Sequence, residues 1–197
     1  MKRKFIFLVV LITLMSAASG RLPAQSQAGD AERILARAIE LHQAGDIESA
    51  IREYQSYLTL NPKHVEARSN LGASYARVGR YQEAIEQYTQ ALAADGRNTS
   101  IRFNLAVAFY KASQISLAAK ELNQVVTAQP DNLNALLLLA DCHLRLGQNK
   151  KTVELLTPLE GKHSDNKALA YLLGTALIRD NQMEAGQRIL DRILRDG

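Results

Sequence analysis

The sequence repeats with a period of 34 residues, and this period constrains the fold more than any other feature of the chain. Four full windows and most of a fifth align without insertion or deletion, at 31–64, 65–98, 99–132, 133–166 and 167–197. A fixed period of this length is typical of a solenoid, in which each unit buries its apolar face against its neighbours. The sequence therefore predicts a stack of five similar units, the last of them incomplete.

Two places in the window carry only small side chains. The eighth place holds Ala38, Gly72, Ala106, Ala140 and Gly174, and the twentieth holds Ala50, Ala84, Ala118, Thr152 and Gly186. Two antiparallel helices approach closely only where a side chain is small, because the ridges of one helix then settle into the grooves of the other. These places predict where the two helices of each unit cross.

A helix end is predicted between the two small places. The residues there are Gly45, Gly79, Ser113, Gly147 and Asn181. Gly and Asn tolerate the left-handed conformation that closes a helix and starts a tight turn. Near the window ends, Pro62, Gly96, Pro130 and Ser164 are expected to stop the second helix. Apolar residues spaced three and four apart give each helix a core-facing stripe, so each unit is predicted to be a pair of helices.

The window at 65–98 resembles a tetratricopeptide repeat almost throughout. The residues that fit the pattern are Leu71, Gly72, Tyr75, Gly79, Tyr81, Ala84, Tyr88 and Ala91. The resemblance extends over 31–197 and implies an all-α fold, a right-handed superhelical solenoid of antiparallel helix pairs.

Three departures from the repeat pattern carry expectations of their own. Arg37 and Tyr57 replace the usual Leu and Ala, so the first repeat is expected to be an atypical terminal one. Pro158 falls inside a second helix, which it should kink or shorten. The sequence reaches Gly197 within the fifth window, so either the last helix serves as a cap or further repeats continue the solenoid.

The start of the chain is typical of a secretory signal peptide. Basic residues at 2–4 precede an apolar run at 5–15, and small residues follow at 16–20. The apolar run is shorter than the ~20 residues that a membrane-spanning helix needs. We therefore expect a signal peptide at 1–18, with an uncleaved anchor as the competing interpretation.

Cleavage after Ala18 satisfies the small-x-small rule, and cleavage after Gly20 is a second option. The polar residues at 19–30 predict a short flexible lead-in to the repeats. The mature protein is then expected in the periplasm or outside the cell, without stable membrane insertion.

Removal of the leader also changes what the charge implies. The full chain has 24 basic and 20 acidic residues, and three of the basic residues lie at 2–4. The mature chain would be almost neutral, which does not point to nucleic acid as a partner.

The sequence lacks the motifs that carry catalysis or cofactor binding. It has no phosphate-binding loop, no dinucleotide glycine pattern and no Gly-x-Ser-x-Gly elbow. The adjacent pair Cys142 and His143 would point about 100° apart on a helix, and we expect both in the packed core. The sequence therefore predicts no catalytic residue, no metal site and no cofactor.

The resemblance implies that the first helix of each repeat lines a concave groove that binds an extended peptide or a helix of another protein. By their phase in the window, the candidate groove residues are Asn70, Arg77, Phe103, Asn104, Tyr110, Lys111, Leu137, Asp141, Arg145, Tyr171 and Arg179.

Four of these residues, Arg77, Lys111, Arg145 and Arg179, recur 34 residues apart and predict a basic ladder along the groove. Such a ladder suits acidic side chains, a peptide carboxyl terminus or backbone carbonyls. The alternative is that each cation complements the dipole at its own helix end.

Asn70 and Asn104 recur at one phase, where paired amides can hold an extended peptide backbone. Phe103, Tyr110 and Leu137 lie around them as apolar anchors. The carboxylate clamp of the chaperone-binding subfamily is largely missing, because Leu35 and Ile39, then Ser100 and Asn104, occupy its places.

The leading hypothesis is a non-enzymatic adaptor that binds a protein or peptide in its groove. One alternative is a structural segment that self-associates through the uncapped last repeat. A second is an accessory domain of an enzyme encoded beyond Gly197. The sequence does not identify the partner.

Overall fold

The computed structural model describes residues 24–195, with side-chain environments from residue 29 onward. This part of the chain forms ten α-helices and no strand, and none of the helices is long and apolar enough to cross a membrane. The helices are α1 (Ala24–Ala44), α2 (Ile47–Leu60), α3 (Val65–Arg77), α4 (Tyr81–Ala94), α5 (Thr99–Lys111), α6 (Ile115–Ala128), α7 (Leu133–Arg145), α8 (Asn149–Glu160), α9 (Lys167–Arg179) and α10 (Met183–Arg195). The predicted signal peptide at 1–18 lies outside the described residues.

The helices pack in chain order. Each helix contacts the one before it and the one after it, and the first helices of neighbouring repeats also touch at α3–α5 and α7–α9. The core accordingly runs along the stack as three overlapping clusters, which share Phe109 and Leu155. The predicted all-α solenoid of helix pairs is confirmed.

The small places are the points of closest helix approach, as predicted. All ten residues at the eighth and twentieth places are buried. A Cβ atom on Gly72 would lie 2.9 Å from Cε1 of Tyr88, and one on Gly174 would lie 2.8 Å from Cγ of Leu190. Tyr88 and Leu190 both occupy the twenty-fourth place, so a small residue on the first helix faces a large one on the second.

The predicted helix ends are also confirmed. Within residues 24–195, positive φ angles occur at Gly45, Gly79, Ser113, Gly147 and Asn181. At each of these turns the N–H of the following residue donates to a carbonyl five residues back, as Arg80 does to Tyr75 at 2.9 Å. This hydrogen bond, together with the left-handed residue before it, defines the Schellman motif that closes a helix.

Helix starts follow a pattern that the sequence analysis did not identify. The side chains of Asn98, Asn132 and Asn166 accept a hydrogen bond from the N–H three residues later, at the starts of α5, α7 and α9. These N-caps satisfy backbone donors that the helix leaves unpaired. His64 holds the same place before α3 and makes no such bond.

Two helices, α1 and α8, differ in length from the others. The helix α1 begins at Ala24, so residues 24–30 are helical where a flexible lead-in was expected. This segment contains Ala and Gln, whose helix propensities are favourable. The prediction relied on apolar periodicity, which the segment lacks. The helix α8 ends at Glu160 and has 12 residues, against 14 in α2, α4 and α6. Pro158 lies in its last turn and cannot donate a backbone hydrogen bond, which accounts for the predicted shortening.

Candidate peptide-binding groove

The groove that the resemblance implies would be lined by the first helices of the repeats, α1, α3, α5, α7 and α9. Contacts that skip over a second helix occur at α3–α5 and α7–α9, so these first helices approach each other more closely than the second helices beside them do. A curved stack is concave on its closely spaced side. Residues at the same place in successive windows therefore follow one another along this side at intervals of one repeat.

Three predicted groove residues form one cluster between the third and fourth repeats. The hydroxyl of Tyr110 on α5 lies 2.5 Å from Oδ2 of Asp141 on α7, and Nε of Arg145 lies 2.7 Å from the same oxygen. The Arg145 guanidinium also lies over the Tyr110 ring, 4.9 Å from its centroid. One carboxylate oxygen thus accepts from a phenol and a guanidinium that stack on each other.

The charges of this cluster are consistent with its geometry. Burial raises the pKa of Tyr110, and the hydrogen bond that its hydroxyl donates to Asp141 raises it further. The hydrogen bond and charge of Asp141 raise the pKa of the Arg145 guanidinium. The raised pKa values keep the Tyr110 phenol neutral and the Arg145 guanidinium charged at neutral pH.

The first half of the groove contains a second polar cluster around His42. The Ser74 hydroxyl lies 2.8 Å from the carbonyl oxygen of Asn70 and 3.0 Å from Nδ1 of His42. Because Ser74 donates its single proton to the carbonyl, Nδ1 of His42 is the donor in the other contact. Burial lowers the pKa of His42, and the nearby Arg77 lowers it further.

The four cations of the predicted ladder are not equivalent. Arg77 donates to the carbonyl of His42 at 3.3 Å, at the end of the preceding first helix, and Arg145 is held by Asp141. Lys111 and Arg179 are exposed, and their side chains have no hydrogen-bond or ion-pair partner among the residues that the structure describes. Two of the four positions therefore serve contacts between or within repeats, and two carry cations that a ligand could reach.

The two predicted asparagines also differ in whether their amides are free to contact a ligand. Asn70 is half-buried, and its amide is close enough to the Tyr54 hydroxyl to offset part of the rise that burial gives the pKa of Tyr54. Asn104 is exposed and has no hydrogen-bond partner within residues 24–195. The amide that can still take a ligand backbone is therefore that of Asn104.

The predicted apolar anchors mostly belong to the interfaces between repeats. Phe103 packs against the core cluster that contains Ala135 and Leu139, and Leu137 packs against the next cluster along the stack. Both remain half-buried. Tyr171 is 61% exposed and lies on the last repeat, away from the clusters around Tyr110 and His42. The sequence pattern placed these residues on one face but could not show that neighbouring repeats cover part of them.

Outside the groove, the described residues include a buried Cys142–His143 pair and an open cavity. No group of three or more His, Cys, Asp or Glu side chains within them could hold a metal ion. Cys142 and His143 are buried as expected, and burial raises the pKa of the Cys142 thiol to about 11.

An open cavity of about 540 Å³ lies beside Pro62, Lys63 and Gln90. There, Arg68 already donates to the Gln90 side chain and to the Pro62 carbonyl.

Two family profiles match the sequence, and together they cover most of the repeats. The profile described as Tetratricopeptide repeat matches residues 35–99 and 71–131. The profile described as Anaphase-promoting complex, cyclosome, subunit 3 matches residues 114–193. No curated protein matches the sequence significantly.

Solved structures with the same fold include MamA and the TPR protein YrrB. A crystal structure of the MamA protein superposes with a TM-score of 0.78 at 18% identity, covering 84% of this chain and 90% of the other. MamA from Desulfovibrio magneticus RS-1 gives a TM-score of 0.77 at 19% identity, covering 84% of this chain and 93% of the other. YrrB, described as a TPR protein with an unusual peptide-binding site, gives 0.76 at 20% identity, covering 85% and 86%. The TM-scores show a shared fold, and at identities below 25% the similarity shows the fold alone.

Proposed function

We propose, from the premise that this chain is a tetratricopeptide repeat protein, that it is an exported, non-enzymatic adaptor whose concave groove binds a peptide or a segment of another protein. The third and fourth repeats would form the central part of the site. A partner of this kind fits the open, elongated shape of the groove, which is poorly suited to excluding water from a reaction.

One observation supports this proposal most directly. Asn104 and Lys111 lie two turns apart on α5, both exposed and both without a partner among the described residues. Beside them, Tyr110 is held in place by Asp141 and Arg145 across the repeat boundary. Side chains already fixed, such as Tyr110, lose little conformational entropy when a ligand binds, and beside them Asn104 and Lys111 offer polar groups that no contact within the described residues occupies.

The chemistry of these residues indicates the class of ligand. The Asn104 amide can donate to and accept from an extended backbone at once, and Lys111 and Arg179 can pair with carboxylates. We therefore expect a peptide segment with acidic residues spaced so that they reach the third and the fifth repeats. YrrB is described as having an unusual peptide-binding site, which is compatible with a ligand of this class here.

The groove can be tested with charge and amide substitutions. Asn104→Ala and Lys111→Glu should each weaken binding of acidic peptides on a peptide array by about tenfold. The first removes the amide contact with the peptide backbone, and the second removes the ion pair with a peptide carboxylate. Lys120→Glu is the matched control, because Lys120 is exposed on the second helix α6 and also has no ion-pair partner within residues 24–195. Circular dichroism should show equal helicity in all variants. Equal peptide binding by Lys111→Glu and Lys120→Glu would contradict the groove.

Export is the second part of the proposal, and it rests on the sequence at 1–18. Expression of the full chain in a bacterial host should give a protein whose mass corresponds to a start at Ser19 or Arg21 and that fractionates with the periplasm or the medium. Deletion of residues 2–18 should keep the protein in the cytoplasm. A full-length mass in the membrane fraction would instead support an uncleaved anchor.

A further inference from the structure

The N-terminal end of the described solenoid is polar. The third, seventh and tenth places of a first helix face the preceding repeat, and in repeats two to five they are buried. These residues are Ala67, Leu71 and Ser74, then Ile101, Leu105 and Ala108, then Ala135, Leu139 and Cys142, and finally Leu169, Leu173 and Ala176. In the first repeat the same places hold Arg33, Arg37 and Glu40, all exposed. Arg37 pairs with Glu53 of its own repeat at 3.3 Å.

The opposite end keeps the apolar residues of an internal interface. At the twenty-fourth place, Leu122 and Leu156 are 0% exposed, whereas Leu190 is only half-buried. At the twenty-eighth place, Leu58 is 8% exposed and Leu194 is 81% exposed. Tyr171, at the fifth place, is also exposed, whereas the residues at that place in the other repeats are half-buried. These are Leu35, Ser69, Phe103 and Leu137. We call Tyr171, Leu190, Ile193 and Leu194 the end face.

The structure itself shows what covers this kind of surface. At each of the four boundaries between repeats, the first helix of the next unit packs against the second helix of the unit before it. At two of them, α5 also contacts α3 and α9 also contacts α7. Its buried third, seventh and tenth places provide the apolar contacts. The fifth repeat has the same surface, with one polar residue, Gln187, where the earlier repeats have Ile51, Ile85, Ala119 and Val153.

We propose that the end face binds an amphipathic α-helix of a partner protein, which packs there as the first helix of a repeat packs on the unit before it. A second copy of this chain could not supply such a helix from its own N-terminal end, since Arg33, Arg37 and Glu40 would be placed against Leu190 and Leu194. Burying these charges without partners would cost more than the apolar contacts return.

The internal boundaries also specify the sequence of the partner helix. It should have apolar residues at its third, seventh and tenth places. At the boundary between repeats one and two, Gln55 at the twenty-fifth place donates to the Tyr75 hydroxyl at the eleventh place of the next unit, at 2.8 Å. The residue at the twenty-fifth place of the last repeat is Asp191, so a Lys or Arg at the eleventh place of the partner helix would face a carboxylate.

The test uses a labelled synthetic peptide with the sequence of residues 164–182, which contains α9 and its cap. Fluorescence anisotropy against the mature protein should show saturable binding. Replacing the peptide's Leu177, at the eleventh place, with Lys should tighten binding severalfold through Asp191, and Asp191→Asn in the protein should remove that gain. Double substitution of Leu169 and Leu173 with Lys in the peptide should abolish binding.

Variants of the protein separate the end face from other apolar sites. Tyr171→Lys combined with Leu194→Lys should weaken peptide binding at least tenfold. Leu60→Lys and Leu117→Lys are matched controls, because both leucines are exposed on second helices away from the end face. The groove variant Lys111→Glu should bind the peptide as the wild type does, so failure here is distinguishable from failure of the proposed groove.

Three outcomes would overturn the proposal. The first is the absence of saturable peptide binding, and the second is binding that the double end-face variant leaves unchanged. The third is a concentration-dependent dimer in sedimentation experiments that Tyr171→Lys with Leu194→Lys dissociates, which would assign the end face to a second copy of this chain.

Discussion

The hydroxyl of Tyr110 donates a hydrogen bond to the carboxylate of Asp141, 31 residues further along the chain and on the next repeat. The bond joins α5 to α7 across the groove side of their boundary. Asp141 also holds Arg145, which covers the Tyr110 ring, so a single carboxylate fixes two side chains of the proposed binding surface. The surface at this boundary is therefore ordered before any ligand arrives.

This relationship predicts a measurable coupling. Tyr110→Phe should lower the free energy of unfolding by about 1 kcal/mol, because it removes one partly buried hydrogen bond and leaves the ring in place. Urea denaturation of Tyr110→Phe, Asp141→Ala and the double variant gives a double-mutant cycle. The two losses should be less than additive, by about 0.5 kcal/mol or more. Strictly additive losses would show that the two residues do not stabilise each other.

The contact between Gly72 and Tyr88 predicts a strong size limit at the eighth place. Gly72→Ala should cost about 1–3 kcal/mol, because the new Cβ would overlap the Tyr88 ring unless the helices separate. Gly72→Leu, and Ala84→Leu at the twentieth place, should unfold the surrounding repeats. Gly161→Ala is the control, since Gly161 has right-handed backbone angles and open space where an alanine methyl group would lie. Thermal denaturation should show little change for Gly161→Ala, and an unchanged melting temperature for Gly72→Ala would argue against the helix pairing.

Ser113 predicts a stabilising substitution. Its φ of 60° matches the values that glycine provides at the equivalent turns, but a residue with a Cβ pays an extra steric cost there. Ser113→Gly should raise the free energy of unfolding by about 0.5–1 kcal/mol. The reciprocal change Gly147→Ser, at a turn with φ of 71°, should lower it by about 1 kcal/mol. Opposite signs for the two variants in urea denaturation would support this account, and a loss for Ser113→Gly would contradict it.

Two imidazoles, the half-buried His42 and the buried His143, predict a pH dependence of stability. Burial is the main cause that lowers the pKa of both His42 and His143 below the ordinary value of 6.5. The unfolded chain therefore binds protons more readily than the folded one, so stability should fall as the pH is lowered from 7.5 to 5.5. Carboxylates contribute little in this window, because they titrate at lower pH.

The measurement is the melting temperature at pH 7.5 and at pH 5.5. His143→Leu places at the eleventh position the residue found there in the first and fifth repeats, Leu41 and Leu177. This variant and His42→Gln should each lose part of the difference between the two temperatures. A difference equal to that of the wild type in both variants would mean that other groups cause the pH dependence.

The repeat itself could be predicted because its determinants are local and recur. The left-handed turns at Gly45, Gly79 and Gly147 follow from the rarity of such angles in other residues, and the crossing points follow from side-chain size. Ser113 could be identified as a turn residue only from its place in the 34-residue window. The early start of α1 was not predicted, because helix propensity acts there without a core-facing apolar stripe.

The groove could be predicted only as a list of residues that share a face. Phase placed Tyr110, Asp141 and Arg145 on the inner side but did not show that they bond to one another. It also gave Asn70 and Asn104 the same role, whereas Asn70 lies against Tyr54 and Asn104 is free among the described residues. These differences depend on side-chain rotamers and on contacts between repeats, which a periodic pattern does not specify.

The succession of contacts from each helix to the next has a consequence for how this protein can fail. Since the packing in the described part of the chain joins helices that are neighbours in the stack, damage at one end is not transmitted directly to the other. A protease that nicks a terminal hairpin should trim the molecule from that end and leave a shorter folded remnant with the remaining turns of the stack intact.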